Sequence, residues 1–476
     1  MREYWDSIYK GLLDTKPEEF GFLLTLCIAL VSLAMAIVLF NKGLRFYKFG
    51  KESLADPNNE IFSKRYDFLD FIRAIAIIMV MVFHIWQQSW MWPTFYIGDI
   101  TINLNHFAVA GFMGVEALFV LSGFCLFLPY AKSCFTGKDY KVSPWTFYKK
   151  RLLRIVPSYF LSIALLLLFD KTVNIGVGPE FWRNLINHLL FIENLTIQKG
   201  CTYINFVYWS LAVEMQFYIL FPFIAWLMKR QPHLTTLGFL VVSNVYRANI
   251  LLNKVDQLSV LFNILPGMLD LFVLGMYGSW WAMRLKAGTY SFKPGTKLAF
   301  KTIMSLGFIA FSAVLCSILY WLMQFNYYNT GFTAVGGNQL FQTLVRPFWG
   351  ILVMLQMICG VFLFKWIEKI IACKPVKFMA RISLNLYLWH QWISVKLRVN
   401  NVFHYDILNY EVNQFDPEWG KKAFWGSIVV AVIVAYLFTL VDEWLVEKIP
   451  QLGKLIGKGA SIVKQKLILN KKEEAQ

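Results

Sequence analysis

Charged side chains are scarce in this chain. They make up 16% of its 476 residues, where an ordinary soluble protein carries roughly 25%. Apolar residues reach 57% and mean hydropathy is +0.50, which excludes intrinsic disorder and an ordinary soluble enzyme. Cysteine is sparse: seven residues, with no CxxC or other metal-ligand spacing, exclude a disulfide scaffold and a cysteine-held metal. No P-loop, GxGxxG turn, 20–50-residue repeat or second soluble domain is visible. Acids are the scarcer sign, 29 against 46 Lys and Arg, which leaves a formal net charge of +17. That balance suggests an anionic partner, but the chain is too apolar for a soluble nucleic-acid binder, and no nucleic acid is expected.

What the sequence does have is long apolar runs. A helix needs about 20 residues to cross a hydrocarbon core of roughly 30 Å. Runs of that order lie at 20–40, 69–90, 108–130, 154–170, 208–228, 234–252, 258–283, 302–323, 344–364, 380–397 and 422–444. They lack the alternation of membrane-barrel strands, so eleven helical spans are expected. The first run is read as an uncleaved span, because the segment before it is not basic enough for a signal peptide. Counted in alternation, one set of connecting segments holds 32 of the 46 basic residues and the other 11. The positive-inside rule therefore predicts an outer amino terminus and a cytoplasmic carboxy terminus. Of the cysteines, only Cys201 falls in a connector expected outside, so no disulfide is predicted there. The segments expected are 1–63 (amino-terminal helix and basic linker), 64–448 (transmembrane domain) and 449–476. The last is a basic tail with apolar positions such as Leu455, Ile456 and Ile462, suited to an anionic leaflet.

Ionisable groups inside such helices are costly and mark candidate function. Arg73 and His84 are eleven residues apart in span 69–90. That spacing puts them on one face, about 16 Å apart along the axis. Each has a plainer reading, Arg73 snorkelling to headgroups and His84 bonding a backbone carbonyl. Glu116, at a similar depth in the next span, suits a carboxylate that orients the His84 imidazole. Gly111, Gly114 and Gly123 read as close-packing positions, and Ser122 lies among them. Arg151 and Arg154 share a face at i,i+3 and suit phosphate oxygens, or else mark topology. In span 208–228, Trp209 precedes Ser210, Glu214 and Tyr218, which form one stripe. Glu214 either takes part in acceptor binding or braces the bundle. Ser383, Tyr387 and His390 stack similarly late in the chain, and His390 is either a second polar group in a cavity or a packed histidine. His106, His188, His233 and His404 form no constellation.

Taken together these segments resemble the acyltransferase-3 family of integral membrane acyltransferases. The resemblance covers about 64–450 and rests on five segments in family order. They are Arg-x10-His from Arg73 to His84; Gly-Val-acid-x-x-Phe-Val-Leu-Ser-Gly-Phe from Gly114; RxxR from Arg151, followed by Ile-x-Pro-x-Tyr; Trp-Ser-Leu-x-Val-Glu-x-Gln-Phe-Tyr from Trp209; and Ser-x-x-x-Tyr-Leu-Trp-His from Ser383. Glu116 stands where the family usually has Asp. The resemblance implies an all-α polytopic bundle with a ten-helix core, here with one extra amino-terminal transmembrane helix. It also implies acyl-CoA, commonly acetyl-CoA, as cytoplasmic donor, and an envelope saccharide or glycolipid as acceptor at the outer face of a bacterial inner membrane. No extracellular esterase-like domain follows the last span, so the chain is expected to finish its chemistry alone or to pass acyl groups to a partner.

The expected mechanism has Arg151 and Arg154 holding the CoA phosphates and Arg73 assisting. His84, oriented by Glu116, then acts as general base or as acyl carrier. Donor aside, no permanently bound cofactor and no metal is expected; the bilayer is a partner, and a homo-oligomer is compatible with the sequence. A transporter or flippase whose translocation path uses the same groups is the competing class, although paired Gly/Pro-interrupted helices are not visible. A sensor or scaffold is the third, and intact Arg73, His84, Glu116 and Glu214 speak against it. Aromatic and Asn-rich outer segments (Trp92, Tyr96, Asn103, Tyr327, Asn338) suit sugar stacking or interfacial anchoring equally.

Overall fold

The computed structural model describes residues 66–473 apart from 92, 98–99, 137–142, 172, 174, 197–202, 254–260, 290–291, 324–344 and 404–415. The expected span 20–40, the linker after it, Cys201 and His404 lie outside the described residues, as do Trp92, Tyr327 and Asn338.

Helix α1 (Phe68–Ser89) is apolar on almost every face and is buried on most of them, as a helix central to a bundle should be. It stops at Trp90, whose left-handed backbone (φ 51°) lets its N–H donate to the Trp86 carbonyl at 2.8 Å. A feature the hydropathy pattern did not suggest follows: an antiparallel hairpin of β1 (Thr94–Ile97) and β2 (Ile100–Asn103), with Thr94 opposite Asn103. Then come α2 (Asn105–Val109), α3 (Met113–Thr136), α4 (Pro144–Phe169), α5 (Pro179–Leu189), α6 (Glu193–Thr196), α7 (Tyr208–Arg230) and α8 (Pro232–Asn253). The chain continues through α9 (Leu265–Gly288), α10 (Pro294–Met323), α11 (Arg346–Gly360), α12 (Lys365–Ile371), α13 (Lys374–Val399) and α14 (Pro417–Glu473).

Ten of these helices, α1, α3, α4, α7 to α11, α13 and α14, correspond to the ten later runs, and together they form a polytopic helical bundle. Six are long and apolar enough to cross a membrane by composition alone: α1, α3, α4, α7, α10 and α14. Large aliphatic side chains such as Ile303, Leu306 and Leu437 face outward on α10 and α14, which in lipid costs nothing.

Lipid tails are as apolar as leucine, so helices in a membrane associate by close backbone approach and polar contacts. Helices α3 and α9 meet this way. A Cβ on Gly275 would lie 1.9 Å from the Val120 carbonyl oxygen, and one on Gly123 would lie 2.0 Å from that of Phe272. Gly114 lets α3 reach α1 in the same manner, its Cβ position 2.3 Å from the Ala76 carbonyl oxygen. The close-packing role expected of Gly111, Gly114 and Gly123 is what the structure shows, and Gly275 adds a position the sequence reading did not name.

Helix α4 starts ten residues before its apolar run. Ser143 caps it, its hydroxyl accepting from the Thr146 N–H at 3.2 Å, and Pro144 occupies the first turn. Arg151 and Arg154 therefore lie within α4, ahead of its apolar run. Hydropathy missed the start because Lys149, Lys150 and Arg151 mask it. At the same end, Asp442 of α14 accepts from Ser158 of α4 and from Asn385 of α13, each at 2.5 Å.

Candidate functional site

The basic end of the bundle opens into a vestibule of about 920 Å³. Asp67, Asp70, Arg73, Lys150, Arg154 and Arg381 are among its walls. A smaller pocket of about 120 Å³ continues inward and shares Arg73, Arg154, Ser383 and Leu384 with the vestibule. Arg151, Ser122, Glu214, Tyr218, Ser210 and Tyr387 also line it. Eight of the sequence candidates thus converge on one cavity: Arg73, Arg151, Arg154, Ser122, Ser210, Glu214, Tyr218 and Tyr387. Trp209 sits behind its wall, edge-on to the lining residue Phe119 at 6.5 Å.

The arginines are positioned differently. Arg73 is tethered to Asp70 at 3.7 Å. Arg154 is exposed. The Arg151 guanidinium lies over Phe147 and Tyr218, 5.7 and 6.0 Å from the ring centroids, and its Nε has no hydrogen-bond partner among the described residues. Deeper in, Ser122 Oγ and Tyr218 Oη both donate to Glu214 Oε1, at 2.8 and 2.6 Å. One turn further along α7, Ser210 Oγ and Tyr387 Oη are 2.5 Å apart, and Tyr387 also donates to the Val207 carbonyl at 3.0 Å.

His390, one turn beyond Tyr387 on α13, is fully buried and leads to His84. Its Nδ1 is 2.8 Å from the Leu386 carbonyl oxygen, and its Nε2 is 2.8 Å from His84 Nδ1. A carbonyl can only accept, so His390 carries its proton on Nδ1 and presents a lone pair at Nε2 when neutral. His84 Nδ1 must then be the donor, which leaves the lone pair of a neutral His84 on Nε2. His84 is only half-buried. The arrangement therefore fixes one tautomer of a partly accessible imidazole, the state a general base or nucleophile needs.

This corrects the expected pairing of His84 with Glu116. The Glu116 carboxylate is bound instead by Arg346 of α11, whose Nε donates to Oε1 at 3.2 Å. Arg346 also donates to the Phe262 carbonyl at 3.2 Å, and both members of the pair are at most 3% exposed. Beside it lies a second buried pair, Arg247 of α8 with Asp270 of α9, both fully buried. Arg247 lies near the end of the expected span 234–252. The structure continues that helix to Asn253 and turns the side chain inward. Two signals were available: an acid in the run around Asp270, and Arg346 as a cation left over inside a span. Among the described residues, no group of three or more His, Cys, Asp or Glu could hold a metal.

The connector between α4 and α7 holds another buried acid that sequence reading passed over. Glu193 is fully buried, with the Tyr159 hydroxyl 3.5 Å from its Oε1, and burial pushes its pKa up to about 8. His188 nearby is satisfied, with Nδ1 donating to the Asn184 carbonyl and Nε2 accepting from the Ile204 N–H, and burial lowers its pKa. Between the ordinary carboxylate range and about pH 8, the folded state keeps a Glu193 proton that the unfolded chain has lost. Stability should therefore fall as pH rises through that window, by at most about 1.4 kcal/mol per pH unit. Glu193→Gln, which mimics the protonated acid, should flatten this decline in thermal unfolding followed in detergent from pH 5 to 8. Equal slopes for the variant and the parent would show that Glu193 is ionised in the folded protein.

Comparison with known proteins bears on what this site does. A family model described as an acyltransferase domain, of the acyltransferase-3 type, matches residues 66–442. The chain is similar to O-acetyltransferase OatA of Staphylococcus aureus, 25% identical over 369 residues, which cover 71% of this chain and 52% of that protein. It is also similar to peptidoglycan O-acetyltransferase OatA of Listeria monocytogenes, 23% identical over 346 residues, 68% of this chain and 48% of the relative. Acyltransferase MdmB of Streptomyces mycarofaciens is 29% identical over 167 residues, 34% of this chain and 39% of that protein. The chain thus spans about half the length of the OatA relatives it matches. No solved structure matches it.

Proposed function

We propose, on the premise that the chain belongs to the acyltransferase-domain family, that it moves a short acyl group, acetyl in the first instance, from cytoplasmic acyl-CoA to a hydroxyl of an envelope saccharide at the opposite face. The observation that carries this reading is the ordered polar track through the bundle. It runs from Arg73, Arg151 and Arg154, past Glu214, to Ser210 and Tyr387, and then to the His390–His84 pair. The charge pattern makes the basic end the cytoplasmic one. Arg151 and Arg154 bind the donor phosphates there through charge-assisted contacts, and the thioester arm extends along α1. Arg73 and His84 are about 16 Å apart along that helix, of the same order as an extended pantetheine arm.

At the far end His84 Nε2 takes the proton of the acceptor hydroxyl. The oxygen attacks the thioester carbonyl, the carbon–sulfur bond breaks, and the proton ends on the departing CoA thiol. In the covalent variant Nε2 takes the acyl group first. Glu116 acts at a distance, holding α3 to α11 through Arg346 so that α1 keeps its place against α3. The name of the Listeria monocytogenes relative gives peptidoglycan as its acceptor, and an envelope glycan is the acceptor proposed for this chain.

The test is consumption of labelled acyl-CoA by detergent-purified protein with and without glycan acceptors. Acceptor-dependent release of CoA with matching ester formation supports the reading; movement of a glycan without any ester would favour translocation. Replacing Arg151 and Arg154 by Gln should raise the KM for acyl-CoA by about 10- to 100-fold per lost charge-assisted bond, leaving the acceptor KM nearly unchanged. Equal effects on both substrates would return the two arginines to a topological role.

A further inference from the structure

We propose that Glu214 belongs to the donor side of the site, where its free carboxylate oxygen accepts a hydrogen bond from an amide N–H of the pantetheine arm. The assignment rests on the reading of acyl-CoA as donor and gives that donor a second point of recognition.

Glu214 lines the same pocket as Arg73, Arg151 and Arg154. Its nearest partner toward the arginines is Tyr218, whose ring lies 6.0 Å from the Arg151 guanidinium. An acceptor arriving from the opposite face meets the Ser210–Tyr387 bridge first, one turn of α7 beyond Glu214. The carboxylate is also oriented. Ser122 and Tyr218 both donate to Oε1, while Oε2 receives no hydrogen bond from any described residue. With one oxygen doubly held, the other is left for a ligand.

An ionised carboxylate only accepts, so its ligand must donate. A phosphate cannot, and is repelled. The nucleotide end of the donor therefore stays among the arginines, and what passes Glu214 must carry no negative charge and present N–H or O–H groups. The pantetheine arm carries amide N–H groups separated by methylenes. The remaining walls (Ile77, Leu118, Phe119, Leu211) offer apolar contact of the kind methylenes need. A cationic mouth followed by one oriented acceptor in an apolar sleeve thus matches the order of groups along the donor.

The geometry also makes Glu214→Gln diagnostic. Ser122 and Tyr218 would hold the Gln carbonyl oxygen in place of Oε1, so the amide NH2 would occupy the Oε2 position and oppose the ligand's N–H. Three donors separate the roles: acetyl-CoA, S-acetylpantetheine without the nucleotide, and ethyl thioacetate without amides. Glu214→Gln should lower kcat/KM about 10- to 100-fold for the first two and leave ethyl thioacetate unchanged. The Arg151→Gln, Arg154→Gln variant should affect acetyl-CoA alone. Glu214→Asp, which keeps the charge, should retain part of the discrimination and serves if the Gln variant does not fold. An equal loss for all three donors, or a loss confined to the acceptor KM, would overturn the assignment while leaving the donor reading intact. Parent enzyme that uses neither acetyl-CoA nor S-acetylpantetheine would overturn both.

Discussion

His84→Ala is expected to lower ester formation by about 10²- to 10⁴-fold, the range a general base supplies, with little change in the KM for acyl-CoA. The expectation follows from position and tautomer together. Nε2 of a neutral His84 carries the lone pair because Nδ1 is engaged by His390, which is fixed in turn by the Leu386 carbonyl. His390→Gln should cost less than His390→Ala, because a Gln side-chain oxygen can still accept from His84 Nδ1. Initial rates on purified variants with matched thermal midpoints check this order. Full activity in His84→Ala would remove the residue from the chemistry, and equal losses in the two His390 variants would remove the orienting role.

Arg346→Met should destabilise the fold by about 3–5 kcal/mol, the cost of leaving a buried charge without its partner. Glu116 would then face an apolar environment with Oε1 freed and Oε2 already lacking a partner among the described residues. Glu116→Gln in the same background should recover part of the loss by removing the stranded charge. A double-mutant cycle on detergent-phase unfolding gives the coupling directly. Additive single losses would mean that the two side chains stabilise the bundle independently. A damaged pair should also lower activity in proportion to the unfolded fraction, without altering the pH profile of the remaining enzyme, because neither residue touches the histidines.

The parts of this molecule legible from sequence were those in which a polar residue interrupts an apolar helix. Arg73, Glu214, Tyr218 and Tyr387 stood out for that reason, and the cavity they line gathers them from α1, α7 and α13. Helical spacing places residues on one face of one helix, but it is silent on which helices face each other. His84 and His390 are 306 positions apart, and only the packing of α13 on α1 brings them together. The partner of Glu116 was hidden for the same reason. Arg346 opens α11, where a basic residue reads as an end effect until its burial is known. Arg247 sits close to the end of its span, where a cation reads as an end effect until its burial against Asp270 is known. The ten helices themselves were readable from run length, since lipid leaves a spanning segment little alternative to a helix.

The central claim is passage of an acyl group through the bundle from the arginine-lined end to an acceptor at the other. Proteoliposomes carrying the protein in one known orientation test it most directly. Labelled acetyl-CoA is supplied only to the basic end and the glycan acceptor is confined to the opposite compartment. Labelled ester should accumulate with the acceptor while free CoA appears with the donor, and His84→Ala should lower both by about 10²- to 10⁴-fold. Ester formed only when donor and acceptor share one compartment would contradict passage through the bundle.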